Sequence, residues 1–546
     1  MLSISSEVKK NDHGDSFLKG TFILAIAGIV VKVIGSLNWI FVSRVLGGEG
    51  IGLYQMAFPI YLLALSVSTA GVPVAISIIT AEKVALKDIL GAKRIFRISM
   101  AVMAVTGAIF SLATYFGAGW LIEYRFIRDP RAYYSVAALA PAIFFVTILA
   151  SSRGFLQGWQ RMTPTAVSQI VEQIFRVITM VLFANLFLPR GLEFAAAGAS
   201  FGAFAGAVTG LIVLVYYHWQ LERDIRREYG DHLEEKGKRE SSFTIVKRIF
   251  ALALPVSASS VMLPIVANLD LMIVPARLEV AGYTVGQATE LFGYLTGMAV
   301  PLINLATLLT ASLAISIVPA ISEAKALGDK LRVYQQTSAA MRITYLISFP
   351  AFAIVFMLDT PISQLIYNAA SAGPTVSVLS MSIVLLGIHQ VTTGVLQGLG
   401  HTTIPMINMI IAAVAKVALN WIMVANPNFG ILGAAWATVA DIGIAAVINM
   451  YFLHKYVGYG VDIKQITKNI LATAAMSGIM YIAYLEIFSS LASNTLATLG
   501  AILAGSIVYF LVLILLGGMN ERDIERIPMV GKFIIKLLQR VGAFKA

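Results

Sequence analysis

Long apolar runs separated by short polar breaks make up almost the whole chain. A helix needs about 20 mostly apolar residues to cross a bilayer core. Read with that window, the runs predict about fourteen spans: 17–43, 53–81, 96–121, 133–152, 164–187, 195–217, 248–275, 289–320, 337–358, 376–397, 405–425, 431–453, 465–487 and 495–517. The periodicity is helical, and no alternating ten-residue strands of a membrane barrel occur. The first run is too long, and too interrupted by lysine, to be a cleaved signal, and no small-residue cleavage site follows it. Pro59, Pro141, Pro255, Pro264, Pro301 and Pro350 fall in or near span interiors, where proline removes a backbone hydrogen bond and permits a bend.

Two polar stretches have a pattern of their own. The longest break, 218–247, carries seven basic and seven acidic residues and reads as a solvated helical loop. After Met519, Val530, Phe533, Ile534, Leu537, Leu538 and Val541 share one face, with Lys532, Lys536 and Arg540 beside it. That is the pattern of a basic amphipathic helix lying in the membrane interface.

Composition narrows the class. Of the 546 residues, 58% are hydrophobic and 13% charged, and the mean hydropathy is +0.82. Soluble domains carry about 25% charged residues, so a soluble fold is excluded, and so is disorder. The absence of cysteine excludes disulfides and thiolate metal sites. The net charge of +11 divides by topology: with the N-terminus cytoplasmic, 30 of the 40 Lys and Arg fall in cytoplasmic segments or at the cytoplasmic ends of spans, 6 outside and 4 deeper within spans. By the positive-inside rule both termini are cytoplasmic. The charge therefore orients the chain and implies no nucleic-acid partner; the bilayer is the partner.

The sequence also repeats, with a period near 240 residues. GFLQG at 154–158 returns as GVLQG at 394–398, followed by Pro164 and Pro405. Arg176-Val177 matches Lys416-Val417, Gly198-Ala199 matches Gly433-Ala434, and Met56-Ala57-Phe58-Pro59 matches Met298-Ala299-Val300-Pro301. AIS at 75–77 returns at 314–316. The expected fold is thus an all-α integral membrane protein of two parallel six-helix lobes plus two further C-terminal helices. Its divisions are 1–247, 248–458 and 459–546. Two parallel lobes with a cleft between them are a layout for alternating access, and they already suffice as a monomer.

Charge inside a span costs about 2.5–3.5 kcal/mol on insertion scales, so it normally faces a cavity or a partner. Lys32, Arg176, Glu172, Lys416 and Arg342 are the candidate substrate-binding residues. Glu172 and Arg176 share a helix face at i, i+4, Arg342 is near enough to a span end to snorkel, and Lys32 lies mid-span. Asp270, Asn408, Thr438 and Asp441 offer oxygen ligands for a coupling Na⁺ or H⁺. His389 reads as a hydrogen-bonded core histidine before it reads as a proton carrier. No HExxH, Walker loop or GxSxG is present. Neither an enzyme nor a cofactor is expected, and transport would not be driven directly by ATP.

STAGVPVAIS (68–77), RGFLQGWQRMTPTAVSQIVEQIFRV (153–177), LDLMIVPARLEVAGYTVGQATELFGYLTGMAVPLINLATLL (269–309) and IVPAISEAKALGD (317–329) resemble one family. It is the stage V sporulation protein B branch of the multidrug/oligosaccharidyl-lipid/polysaccharide (MOP) exporter superfamily, with the MurJ-like lipid II flippases as relatives. The resemblance covers nearly the whole chain. It implies fourteen helices, with the last two forming a groove for a lipid tail. It implies that Lys32, in the place of the MurJ-type helix-1 arginine, contacts a diphosphate. Asn38 and Trp39 stand where those proteins have a further basic residue, and no basic residue lies between Ile51 and Ala81. A MurJ-like sodium site would use Asp270 and Asn408, although Ala412 stands where an acid is expected.

The function so implied is a flippase moving an undecaprenyl-diphosphate-linked cell-wall precursor, lipid II or a related repeat unit, from inner to outer leaflet of the bacterial cytoplasmic membrane. A polyprenyl-diphosphate-linked glycan is then the partner. The competing readings are a cation-coupled multidrug exporter of the same superfamily and a non-transporting scaffold for cell-wall or spore-coat assembly.

Overall fold

The computed structural model describes residues 4–69, 71–229 and 240–518, with backbone alone for 4–22, 25, 229, 254–260 and 263. The expected basic tail helix and the centre of the 218–247 loop lie outside the described residues. Among the described residues the chain is helical, with no strand. The helices are α1 (Ile4–Thr69), α2 (Val72–Ala85), α3 (Ile89–Glu123), α4 (Tyr133–Gly158), α5 (Thr163–Phe187), α6 (Leu192–Tyr229), α7 (Ser242–Val280), α8 (Val285–Gly293), α9 (Val300–Ala306), α10 (Leu308–Ala326), α11 (Lys330–Met357), α12 (Asp359–Tyr367), α13 (Gly373–Ser380), α14 (Ser382–Gly398), α15 (Thr403–Met423), α16 (Ile431–Val457), α17 (Ile463–Leu491) and α18 (Asn494–Leu515).

Eleven helices among the described residues are long and apolar enough to cross a membrane, twelve if the bent α13–α14 pair is one span. The stretch Ile26–Ala85 counts there as a single helix of 60 residues. At 1.5 Å per residue that is about three times the hydrocarbon thickness, room for two crossings. α7, with 39 residues, supplies one more. Fourteen crossings are thereby accommodated. The expected spans 1 and 2 are separated within α1 by Gly47, whose non-helical φ of 63° and ψ of −173° make a kink between two helices. Span 8 is broken, with a π-helical segment Tyr294–Ala299 between α8 and α9. Span 4 runs further than the apolar pattern indicates, through Arg153 to Gly158.

Helix starts follow capping chemistry. Asp88, Asp329 and Asp462 accept from Gly91, Arg332 and Gln465 backbone N–H groups at 2.9, 2.9 and 3.1 Å. Ser241 does the same for Thr244 at 3.1 Å. Each satisfies a donor that a helix N-terminus leaves orphaned.

Two compact units emerge, Met1–Gly293 and Tyr294–Ala546. This packing boundary falls later than the repeat boundary at 247/248. α7 and α8 pack on α1, and α7 also on α2 and α3. Arg248 on α7 pairs with Glu82 on α2, and Asn268 on α7 donates to the Pro59 carbonyl at 2.8 Å.

Internally the two units reuse one device. A Cβ at Gly154 would lie 2.5 Å from the Pro73 carbonyl oxygen, and one at Gly394 the same 2.5 Å from that of Ala314. Gly158 and Gly398 meet Ser77 and Val318 in the same way, each at 2.8 Å. Small residues let the backbones of α4 and α2, and of α14 and α10, approach closely, which is how helices associate in lipid. Both α4 and α14 end in one motif. Gln160, φ 56°, and Gly400, φ 78°, are left-handed, and their N–H groups donate to Gln157 and Gln397 carbonyls at 2.8 Å. The next N–H groups, of Arg161 and His401, reach back to Leu156 and Leu396 at 3.1 and 2.9 Å. This is the Schellman pattern, at equivalent repeat positions.

Candidate functional site

The first unit holds its buried charges on α4 and α5. Glycines of α6 fix how α5 is rotated: a Cβ at Gly206 would lie 2.7 Å from the Glu172 carbonyl oxygen and 3.0 Å from the Arg176 Cβ. Glu172 lies between two guanidinium groups. Arg176 Nη2 donates to Oε1 at 2.9 Å and Arg153 Nη2 to Oε2 at 2.9 Å. Arg153 Nε also donates to Ser168 Oγ at 3.0 Å. The side chains of Arg153, Glu172 and Arg176 are 15, 13 and 20% exposed. Two cations against one anion leave an excess of one positive charge, in a setting where isolated charge is expensive. Neither arginine is exhausted: each has five N–H donors, and Arg176 Nε has no hydrogen-bond partner among the described residues.

An aromatic run leads to this cluster from α1. Trp39 meets Tyr54 edge-on at 5.6 Å, Tyr54 stacks on Phe58 at 5.5 Å, and Phe58 packs on Tyr61 at 5.8 Å. The Tyr61 side chain lies beside the Arg176 guanidinium. On the other stretch of α1, a Cβ at Gly35 would lie 3.2 Å from Gln173 Nε2, and Asn38 Nδ2 reaches Met180 Sδ at 3.2 Å, so this part of α1 faces α5. Lys32 is one turn before Gly35, on the same helix face. Its side chain is exposed and has no hydrogen-bond or ion-pair partner among the described residues.

The second unit keeps a cation, Lys416, where the first has Arg176, and has neutral groups at the other equivalent positions. With the 240-residue offset, Thr393 replaces Arg153 and Asn408 replaces Ser168. Asn408 Nδ2 donates to Asn449 Oδ1 at 2.7 Å, and Asn449 Nδ2 lies 2.9 Å from Thr393 Oγ1 and 3.2 Å from His389 Nδ1. His389 is thus a hydrogen-bonded interior group. Lys416 is buried on α15 and engaged. Arg342 Nη2 donates to the Gly518 carbonyl at 3.2 Å, which Gln465 Nε2 also reaches at 2.9 Å. It ties α11 to the residues after α18, where carbonyls are left over and the helix dipole favours a cation.

The sequence-derived residues divide accordingly. Glu172 and Arg176 are brought together. Of the proposed ion ligands, Asp270 is half-buried on α7 in the first unit and engaged. Asn408 gives its amide to Asn449, and Thr438 its hydroxyl to the Ala434 carbonyl at 3.0 Å. Asp441 is half-buried and engaged. Among the described residues no group of three or more His, Asp or Glu is arranged to hold a metal. Arg153, Tyr61 and Asn449 are absent from the sequence-derived set. Arg153 falls one residue beyond the expected span and so counts with the loops. The signal that distinguishes it is the repeat itself, since the other copy has Thr393 there.

Together the fold and the buried basic cluster define a multi-pass helical protein with the architecture of MOP-superfamily transporters. A solved structure of lipid II flippase MurJ in an inward closed conformation superposes with a TM-score of 0.66 at 17% identity, covering 90% of this chain and 98% of that one. An inward-facing multidrug resistance MATE transporter gives 0.64 at 17% identity, over 78% of this chain and 94% of that one. A family model for polysaccharide biosynthesis proteins matches residues 17–325, and one for MatE matches 281–422. Stage V sporulation protein B of Bacillus subtilis (strain 168) is 30% identical over 523 residues, 95% of this chain and 99% of that protein. Lipid II flippase MurJ of the same organism is 25% identical over 487 residues, 85% and 87% of the two chains. The chain belongs to the polysaccharide biosynthesis protein family of the MOP superfamily.

Proposed function

We propose that this protein is a flippase for a polyprenyl-diphosphate-linked glycan, working by alternating access in a bacterial cytoplasmic membrane with both termini inside. The observation that carries this reading is the net-positive Arg153–Glu172–Arg176 cluster with Lys32 one helix away. Guanidinium groups recognise phosphate oxygens as forked donors, while Lys32 acts as a point charge. Trp39 and Phe58, the half-buried members of the aromatic run, give a sugar flat faces to lie against. The similarity to lipid II flippase MurJ and the match to the polysaccharide biosynthesis protein model support the substrate class. An inside-negative potential would favour outward passage of an anionic head group by about 2.3 kcal/mol per charge per 100 mV. The resemblance assigns the lipid tail to α17 and α18. Coupling to Na⁺ or H⁺, with Asp270, Asn408, Thr438 and Asp441 as the candidate oxygen ligands, belongs to the same proposal.

The MatE match supports a second reading, a cation-coupled drug exporter. Against it, the acid of the first unit's charge cluster, Glu172, already faces two arginines at 2.9 Å. Complementation separates the readings. The chain should restore growth to a strain depleted of its lipid II flippase, and Lys32→Glu should remove that rescue. No rescue together with lowered drug accumulation would favour the exporter.

A further inference from the structure

Glu172 has a geometry that a simple packing pair does not need. Its two carboxylate oxygens are divided between two arginines from different helices, one each, at the same 2.9 Å. Neither guanidinium grips it bidentately. A carboxylate held this way presents two acceptor oxygens on one edge, much as one phosphate group would. The three side chains retain 13–20% exposure, so the cluster is open to exchange. The donor count points the same way. Arg153 uses Nε on Ser168 and Nη2 on Glu172, and Arg176 keeps Nε free of any hydrogen-bond partner among the described residues. A carboxylate has two oxygens for these donors, whereas a diphosphate has more and carries more charge. The repeat gives an independent indication. The second unit has Thr393 where the first has Arg153, and Ala412 where it has Glu172, so the arginine and its carboxylate occur together in one copy and are both missing from the other.

We infer that Glu172 is an internal stand-in for the diphosphate: it occupies the anion site of Arg153 and Arg176 while the protein is empty, and the substrate displaces it. The exchange explains how two arginines remain affordable in an apolar setting between cycles, since an unpaired pair would repel and be costly. It also gives release a driving group. Returning Glu172 to the arginines competes the product off, so affinity is deliberately held below what the two cations could provide. Displaced, Glu172 adds repulsion that favours the return. Ligands with too little charge to compete with a carboxylate would be rejected. This inference rests on the proposed diphosphate site, and its test separates the two.

The test is binding to the purified full-length protein by native mass spectrometry and by thermal shift, with three probes: undecaprenyl diphosphate, undecaprenyl monophosphate and inorganic pyrophosphate. The variants are Glu172→Gln, which keeps the shape, Glu172→Ala, and Arg153→Gln. Arg153→Gln should weaken undecaprenyl diphosphate about tenfold, as loss of one charge-assisted contact does. Glu172→Gln and Glu172→Ala should instead tighten it by about tenfold and narrow the preference for diphosphate over monophosphate. A purely structural Glu172 gives the opposite sign: its removal disorders both arginines and weakens binding. If Arg153→Gln weakens binding while both Glu172 variants weaken it or leave it unchanged, the stand-in is wrong and the diphosphate site stands. If wild type binds no diphosphate, or Arg153→Gln binds as well as wild type, both are overturned. Pyrophosphate bound as tightly as the lipid would place recognition in the head group alone; a strong lipid preference adds the tail to the site.

Discussion

Gln160 and Lys87 hold left-handed backbone at φ 56° each, while their repeat counterparts Gly400 and Gly328 hold the same turn at φ 78° and 71°. A side chain in that region costs about 1–2 kcal/mol, which glycine avoids at some cost in unfolded-state entropy. Gln160→Gly should therefore raise the thermal unfolding temperature in detergent, by an amount corresponding to about 0.5–1 kcal/mol. A lowered temperature would mean that the Gln160 side chain earns its place by a contact. Lys32→Glu reverses a span charge that faces α5 without an ion-pair partner among the described residues, and should abolish flipping, whereas Lys32→Arg should keep it. The i, i+4 spacing made Glu172–Arg176 legible in the sequence. Arg153 was not, because its partner lies on another helix 19 residues away and apolarity ends just before it. Asn449 gave no signal either, since a neutral amide in a span declares itself only through the groups it meets.

At the scale of elements, close helix contact is carried by small residues at repeated positions. Gly158→Ala places a Cβ 2.6 Å from Thr80 Cβ, and Gly398→Ala one 2.8 Å from Ile321 Cβ. Each should destabilise by about 1–3 kcal/mol, the usual cost of overpacking. Gly478→Ala on α17, where nothing lies within 4 Å, should be neutral or slightly stabilising. Thermal unfolding of the three variants in one detergent checks this; equal behaviour would refute the packing account. GFLQG and GVLQG revealed the repeat in the sequence, and the turn that follows each copy was implicit in it. The kink at Gly47 falls in the polar gap between the expected spans 1 and 2, whereas the π-helical break at Tyr294–Ala299 was not legible, because apolar runs report burial in lipid and are blind to a change in helical hydrogen bonding.

For the whole molecule, the proposed reading assigns most of the charge of +11 to orientation in the membrane and the chemistry to a few groups within the spans. The duplicated architecture is shared with transporters for different cargoes, so the fold does not select a substrate. On the proposed reading the divergence between the copies does that work: Arg153 and Glu172 flank Arg176 in one unit, while Lys416 of the other has a neutral Asn408–Asn449–His389 network on its side of the repeat. The most direct measurement is the rate at which a fluorescent undecaprenyl-diphosphate glycan crosses the bilayer of liposomes containing the purified protein. Wild type should accelerate crossing well above protein-free liposomes, and the Arg153→Gln, Arg176→Gln double variant should lose about tenfold or more of that gain. Wild type that leaves the rate unchanged, or a double variant that flips as fast as wild type, would contradict the account.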